Sequence, residues 1–189
     1  MATELEYFER AISLNEYMDR MEQLKDSSFS IYEKFDVPKD DEFITRLKEV
    51  KPRILVITED WCGDAMMNNP VLRRIAEAAD LDVRAVYRDE DTALIDRHLT
   101  NGGRSIPIYL LLDADGKVLA KWGPRASTIQ KHVMGLKQQI PAKDAPDFEE
   151  KQRLVYEQIH AEYSTKPEYW LTVYEDIRTT FLPVVQEAQ

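Results

Sequence analysis

The chain reads as an α/β protein, a mixed central sheet with helices on both faces. Three stretches predict this. Arg53–Thr58 (RILVIT) is a short continuous apolar run, the pattern of a strand buried on both sides. Residues 82–89 (DVRAVYRD) alternate in polarity and read as a second strand, with a helical pattern between the two. Ile108–Leu112 and residues 117–122 flank Asp113-Ala114-Asp115-Gly116, the tight turn of a hairpin. Strand, helix, strand, short helix, hairpin and closing helix together give a mixed sheet covered on two sides.

The first flank reads helical. Leu5, Phe8 and Ile12 fall at helical spacing, and Leu14, Tyr17, Met18, Met21 and Leu24 continue it, with Asn15, Glu16, Asp19, Arg20 and Glu22 on the other face. Ser13 with Glu16 three residues on is a capping-box pattern. Residues 27–30 break or bend this region, Val37-Pro38 is a linker, and residues 40–49 form a further helix with Phe43, Ile44 and Leu47 inward. After the first strand, Glu59-Asp60-Trp61-Cys62-Gly63-Asp64 is a loop. Residues 65–79 form a helix on Met66, Val71, Leu72 and Ile75, kinked at Pro70. A short helix over 92–99 closes at Thr100-Asn101-Gly102-Gly103, and Ile106-Pro107 opens the hairpin. Arg125-Ala126-Ser127 leads into an amphipathic helix running to about residue 140. The linker 141–146 (PAKDAP) precedes two last helices over 148–163 and 168–185. The expected organisation is an N-terminal helical extension (1–49), a sheet domain (50–140) and a C-terminal helical extension (141–189).

Composition bounds the function. The 189 residues hold 25 Lys+Arg against 35 Asp+Glu, a net charge of −10, with 43% hydrophobic and 10% aromatic residues. Such a chain can bury a real core. The acidity argues against nucleic acid as a partner, since binding it needs a positive surface. The charge is uneven: residues 1–49 carry 7 basic and 13 acidic side chains, 50–140 carry 13 and 12, and 141–189 carry 5 and 10. The flanks thus read as solvated faces of surface helices. The opening MATELEYFER lacks the apolar core of a signal peptide, and no window reaches the ~18–20 apolar residues of a membrane span. A cytoplasmic protein without a membrane partner is expected. One cysteine, Cys62, excludes an internal disulfide and multi-cysteine metal sites.

Cys62 falls between a buried strand and a helix start, where backbone N–H groups and the positive end of the helix dipole converge. That position is expected to favour the thiolate and lower the cysteine pKa. Other motifs carry little. Asp113-Ala114-Asp115-Gly116 has the spacing of a calcium loop, but Pro124 stands where the bidentate Glu would be. His98, His132 and His160 show no ligand spacing and read as surface or packing residues. Asn101-Gly102-Gly103 lacks the rest of a phosphate loop. No metal and no resident cofactor are expected.

Trp61-Cys62-Gly63-Asp64-Ala65 resembles the W-C-G-x-C loop of the thioredoxin superfamily. Pro70 matches the family's helix-kinking proline, Ile106-Pro107 its cis-proline, and the DADG hairpin with Trp122-Gly123 the end of its sheet. The resemblance covers about residues 50–140 and implies a thioredoxin-like fold with helical extensions. It most resembles the branch whose loop reads E-D-W-C-G-D. The departures are informative. Ala65 stands where thioredoxin has its resolving cysteine, and Val56 where it has a buried acid serving that cysteine. Dithiol exchange by this chain alone is therefore excluded. Asp64 replaces the loop proline and should raise the Cys62 pKa somewhat. Arg104 either offsets that charge, holds a substrate carboxylate, or is a plain loop cation.

The resemblance implies a redox enzyme of one thiol. Cys62 attacks a mixed disulfide between a protein and a low-molecular-weight thiol, which serves as co-substrate, and a second small thiol regenerates it. The Ile106 backbone before Pro107 pairs with the substrate, Trp61 forms an apolar wall, and Gly63, Asp64 and Ala65 complete the loop. Disulfide- or mixed-disulfide-bearing proteins are the expected partners. Alternatively the captured protein resolves the bond with its own thiol. The competing reading is a non-catalytic thioredoxin-fold module that binds proteins. Tyr169, Trp170, Tyr174 and Phe181 of the last helix can dock on the core, cover Cys62 or build a homodimer, and docking is what such a stripe favours.

Overall fold

A computed structural model describes residues 1–188. The chain order is α1 (Glu4–Arg10), β1 (Ile12–Ser13), α2 (Leu14–Asp19), α3 (Lys25–Lys34), α4 (Glu42–Val50), β2 (Arg53–Thr58) and α5 (Gly63–Ala79). It continues through β3 (Val83–Tyr87), α6 (Thr92–Ile95), β4 (Ile108–Leu112), β5 (Val118–Trp122), α7 (Ser127–Lys137), α8 (Phe148–Thr165) and α9 (Pro167–Glu187). The sheet order is β1-β3-β2-β4-β5. β2 runs parallel to β3 through the α5 crossover, and the other neighbours pair antiparallel. This is the expected mixed α/β architecture.

The period of two along β2 sorts the core into two layers. Ile54 and Val56 face the larger layer, with Tyr109, Leu111, Trp122 and the helices α2–α5 and α7–α9. Leu55 and Ile57 face the smaller one, with Tyr7 and Phe8 of α1, Leu94 and Ile95 of α6, and Cys62. Trp170, Tyr174 and Phe181 of α9 are buried in the larger layer, so the last helix docks on the core.

Three local expectations differ from what forms. Ile12 and Ser13 do not continue a helix. They leave α1 and pair antiparallel with Ala85 and Arg84 at the sheet edge. Ser13 then caps α2, its hydroxyl accepting the Glu16 N–H at 3.0 Å, as the capping pattern suggests. Residues 27–30 do not break the chain but lie inside α3. There Ser28 is buried and donates to the Met66 carbonyl at 3.0 Å, which satisfies a polar group that would otherwise be costly in a core helix. The short helix after β3 ends at Ile95, and Thr100 and Gly103 close the following loop by a β-bridge.

Two cis peptides shape the sheet end nearest Cys62, Ile106-Pro107 and Gly123-Pro124. The loops pack on each other: a Cβ on Gly123, whose φ is +124°, would lie 2.1 Å from the Pro107 carbonyl oxygen. Glycine is needed there for both reasons. The Pro124 carbonyl accepts a bond from the buried Asn68 amide of α5 at 2.9 Å, which ties this loop to the α5 helix. Gly123-Pro124 thereby aims Arg125 back at the start of α5.

Candidate functional site at the start of helix α5

Cys62 is the N-cap of α5 and follows the C-terminal end of β2. It is 8% exposed, packed among Ala65, Leu94, Ile95 and Ile106. Its Sγ lies 3.5 Å from the Ile106 carbonyl oxygen, to which the thiol donates. Pro107 follows directly, on its cis bond. The loop motif and the proline, 45 positions apart in sequence, are thus brought together at one spot. Trp61 is 45% exposed and flanks it. Ala65 is buried, with no thiol where a resolving group would stand.

Beneath the loop runs a buried polar chain. The Tyr109 hydroxyl donates to Asn69 at 2.7 Å, the Asn69 amide donates to the Thr58 hydroxyl at 3.1 Å, and Tyr17 meets Thr58 at 3.3 Å. Burial pushes both tyrosines well above their ordinary range, so they remain neutral. The chain fixes the end of β2 and the first turns of α5 relative to each other. Asp60 anchors the loop from outside, its carboxylate accepting the Glu22 and Gln23 N–H groups at 2.9 and 3.3 Å.

The electrostatics differ from expectation at Cys62. Burial, and secondly the charge of Asp64, push the thiol up from 9.0 to about 11. The N–H groups of Ala65 and Asp64 and the Arg125 charge pull it down, but less. The helix start is present as the sequence implies. It does not yield a low-pKa thiol, because the sulfur is enclosed by apolar side chains.

Asp64 turns away from solvent into a cluster not foreseen in the sequence. Its Oδ1 accepts from Arg125 Nε at 2.8 Å and from the Tyr163 hydroxyl at 2.7 Å, and Arg125 also donates to Gln130 at 2.6 Å. Both partners of the ion pair are largely buried. Arg104 plays no part in this. It is exposed and pairs with Asp96 at 2.8 and 3.0 Å. The guanidinium beside the loop tryptophan is instead that of Arg88, 5.1 Å from the Trp61 ring centre, which also donates to the Arg104 carbonyl at 2.9 Å.

Gly63 carries the closest approach in the site. A Cβ there would fall 2.4 Å from His160 Nε2, so α8 lies directly against the residue after Cys62. Gly63 was the available hint, since a glycine beside a helix start often marks a close neighbour. Nothing near Arg125, His160 or Tyr163 in sequence connects them to Cys62. The other histidines lie elsewhere: His132 meets Glu162 at 3.1 Å, and His98 packs 3.9 Å from Glu4.

A strand-ended cysteine at a helix start, opposite a cis-proline in a mixed sheet of this order, defines a protein of thioredoxin fold with a single thiol. The chain belongs to the thioredoxin family, whose model matches residues 11–144. Its fold is also similar to a crystal structure of a protein of unknown function from Pseudomonas aeruginosa, with a TM-score of 0.60 at 17% identity over 94% of this chain and 99% of that one. A crystal structure of an HIV epitope scaffold matches with a TM-score of 0.65 at 16% identity over 100% of both chains. No curated protein matches. No helix among the described residues is long and apolar enough to cross a membrane.

Proposed function

We propose that the chain is a single-thiol thiol–disulfide oxidoreductase acting on mixed disulfides between proteins and a low-molecular-weight thiol. The Cys62 sulfur attacks the small-thiol sulfur, the mixed disulfide breaks, and the protein leaves with a free thiol. A second small thiol then attacks the Cys62 adduct, releasing the small-thiol disulfide and restoring Cys62. The net exchange consumes one free small thiol and yields the free protein thiol and the small-thiol disulfide, one S–S bond replacing another, and the chain needs no second cysteine. The observation that carries this reading is the placement of the Cys62 sulfur against the Ile106 carbonyl beside cis-Pro107, with exposed Trp61 alongside. In this reading the chemistry belongs to residues 50–140 and the flanks buttress it, through Glu22 and Gln23 on one side and α8 on the other.

The test is reaction of the purified chain with a protein carrying one small-thiol mixed disulfide. The expected result is a small-thiol adduct on Cys62 by mass spectrometry and faster release of the free protein thiol than with Cys62→Ala. No adduct and no acceleration over that variant would reject the reading.

The burial of Cys62 favours a second reading, a module that binds proteins without chemistry. It predicts that partner binding survives Cys62→Ala and that the wild type forms no adduct.

A further inference from the structure

We propose that Arg88 is the positioning residue for protein substrates: its side chain holds Trp61 and the loop leading to Ile106-Pro107 in fixed places, so that a polypeptide is presented to Cys62 in one orientation. The inference rests on the reading of Cys62 as a nucleophile toward protein mixed disulfides. It adds a residue that lies outside every motif of the site.

Arg88 directly follows β3, and its main-chain N–H donates to the carbonyl of Thr58, the last residue of β2, at 3.1 Å. The side chain, largely buried, then reaches two separate segments. Its guanidinium carbon lies 5.1 Å from the centre of the Trp61 ring. Its Nη1 donates to the Arg104 carbonyl at 2.9 Å, two residues before Ile106. The Ile106 carbonyl in turn accepts the Cys62 thiol at 3.5 Å. Asp89 fixes the fork: its two carboxylate oxygens accept from Arg88 Nε and Nη2 at 2.9 and 3.2 Å, which leaves Nη1 for Arg104. The Asp89 N–H donates to Glu59 Oε2 at 3.0 Å and so ties the same corner to the loop ahead of Cys62. One side chain thus joins the ends of two strands to both segments that flank the cysteine.

These are the segments a polypeptide needs. In the functional reading a substrate chain pairs with the Ile106 backbone and packs on Trp61. A small disulfide needs only the sulfur. Trp61 is 45% exposed, so a neighbour must hold its ring if it is to form a fixed wall. The Arg104 side chain is turned to Asp96 and does not do so. The planar guanidinium serves three partners at once, a carboxylate, a carbonyl and an aromatic face, and a lysine ammonium cannot match that geometry.

The test uses the full chain and two substrates at neutral pH, a folded protein carrying one small-thiol mixed disulfide and the small probe bis(2-hydroxyethyl) disulfide. In Arg88→Met the rate with the protein substrate should fall about 10- to 30-fold, from loss of the carbonyl bond and the ring contact, and the rate with the small probe less than about threefold. Arg88→Lys should behave like Arg88→Met. Equal slowing of both substrates, or slowing of neither, would overturn the proposal while leaving Cys62 a nucleophile. Full recovery by Arg88→Lys would overturn it as well, because charge alone would then suffice. If the wild type reacts with neither substrate faster than Cys62→Ala, the functional reading itself fails, and this inference with it. Should the Arg88 variants not fold, Asp89→Asn decides: it loosens the fork without removing it, and a severalfold loss confined to the protein substrate supports the proposal, whereas no difference between the substrates overturns it.

Discussion

Cys62 and Asp64 stand two positions apart at the start of one helix, yet the protein surrounds them in opposite ways. Around Cys62 there is apolar packing, one long thiol contact to Ile106 and an exposed tryptophan. Around Asp64 there are a cation, a phenol and the wall of α8. The positive end of a helix stabilises whichever nearby group is charged. Here the carboxylate takes that role, and its own charge then disfavours a thiolate beside it. A helix start is therefore insufficient grounds for expecting an ionised cysteine. The side chain that follows within the first turn decides who benefits.

This contrast breaks most severely at Arg125. Arg125→Met leaves the Asp64 charge buried without its cation, which should cost about 3–5 kcal/mol in chemical denaturation. The thiol pKa should rise further, because a charge that favours the thiolate is gone, whereas Asp64→Asn should lower it. A loss well under ~1 kcal/mol would mean that the pair behaves as a surface ion pair.

The Cys62 side is tested next by pH. Its folded-state pKa lies above the unfolded one, so its contribution is complete below pH 9 and lost as pH rises through about 11. At ~1.4 kcal/mol per unit, the wild type should lose about 2–3 kcal/mol relative to Cys62→Ala across that window. Parallel stability curves for the two proteins would show that burial does not hold the proton.

A smaller effect sharpens the boundary between the two sides. Gly63→Ala places a methyl 2.4 Å from the His160 ring and should cost about 1–3 kcal/mol. His160→Ala in the same chain should recover much of it, a coupling that strictly additive losses would disprove. The smallest change is Tyr163→Phe, at about 1.5 kcal/mol, because Arg125 still holds the same carboxylate oxygen. Thermal unfolding of the pair of proteins measures it.

What could be read in advance follows the range of the interactions. β2 and the hairpin were legible because an apolar run and an Asp-Gly turn are complete signals within a few residues. Ile12 and Ser13 were not, since two residues carry no period and become a strand only through Arg84 and Ala85. At the site, Trp61, Cys62 and the Ile106-Pro107 pair came from local motifs. Arg125 and Tyr163 bond Asp64 from 61 and 99 positions away, and no local pattern encodes such a meeting. The sign of the Cys62 shift is set first by enclosure among residues that include Leu94 and Ile95 of α6 and then by Asp64, so the helix start alone points the wrong way.

The three tryptophans are unequally placed: Trp122 and Trp170 are buried, while Trp61 is 45% exposed beside the sulfur. The molecule therefore carries its own optical reporter. Two indoles emit from fixed, dry surroundings and give a steady background. The third samples water directly, so its emission colour and quenching by dissolved iodide will follow whatever lands on Cys62, without any attached dye.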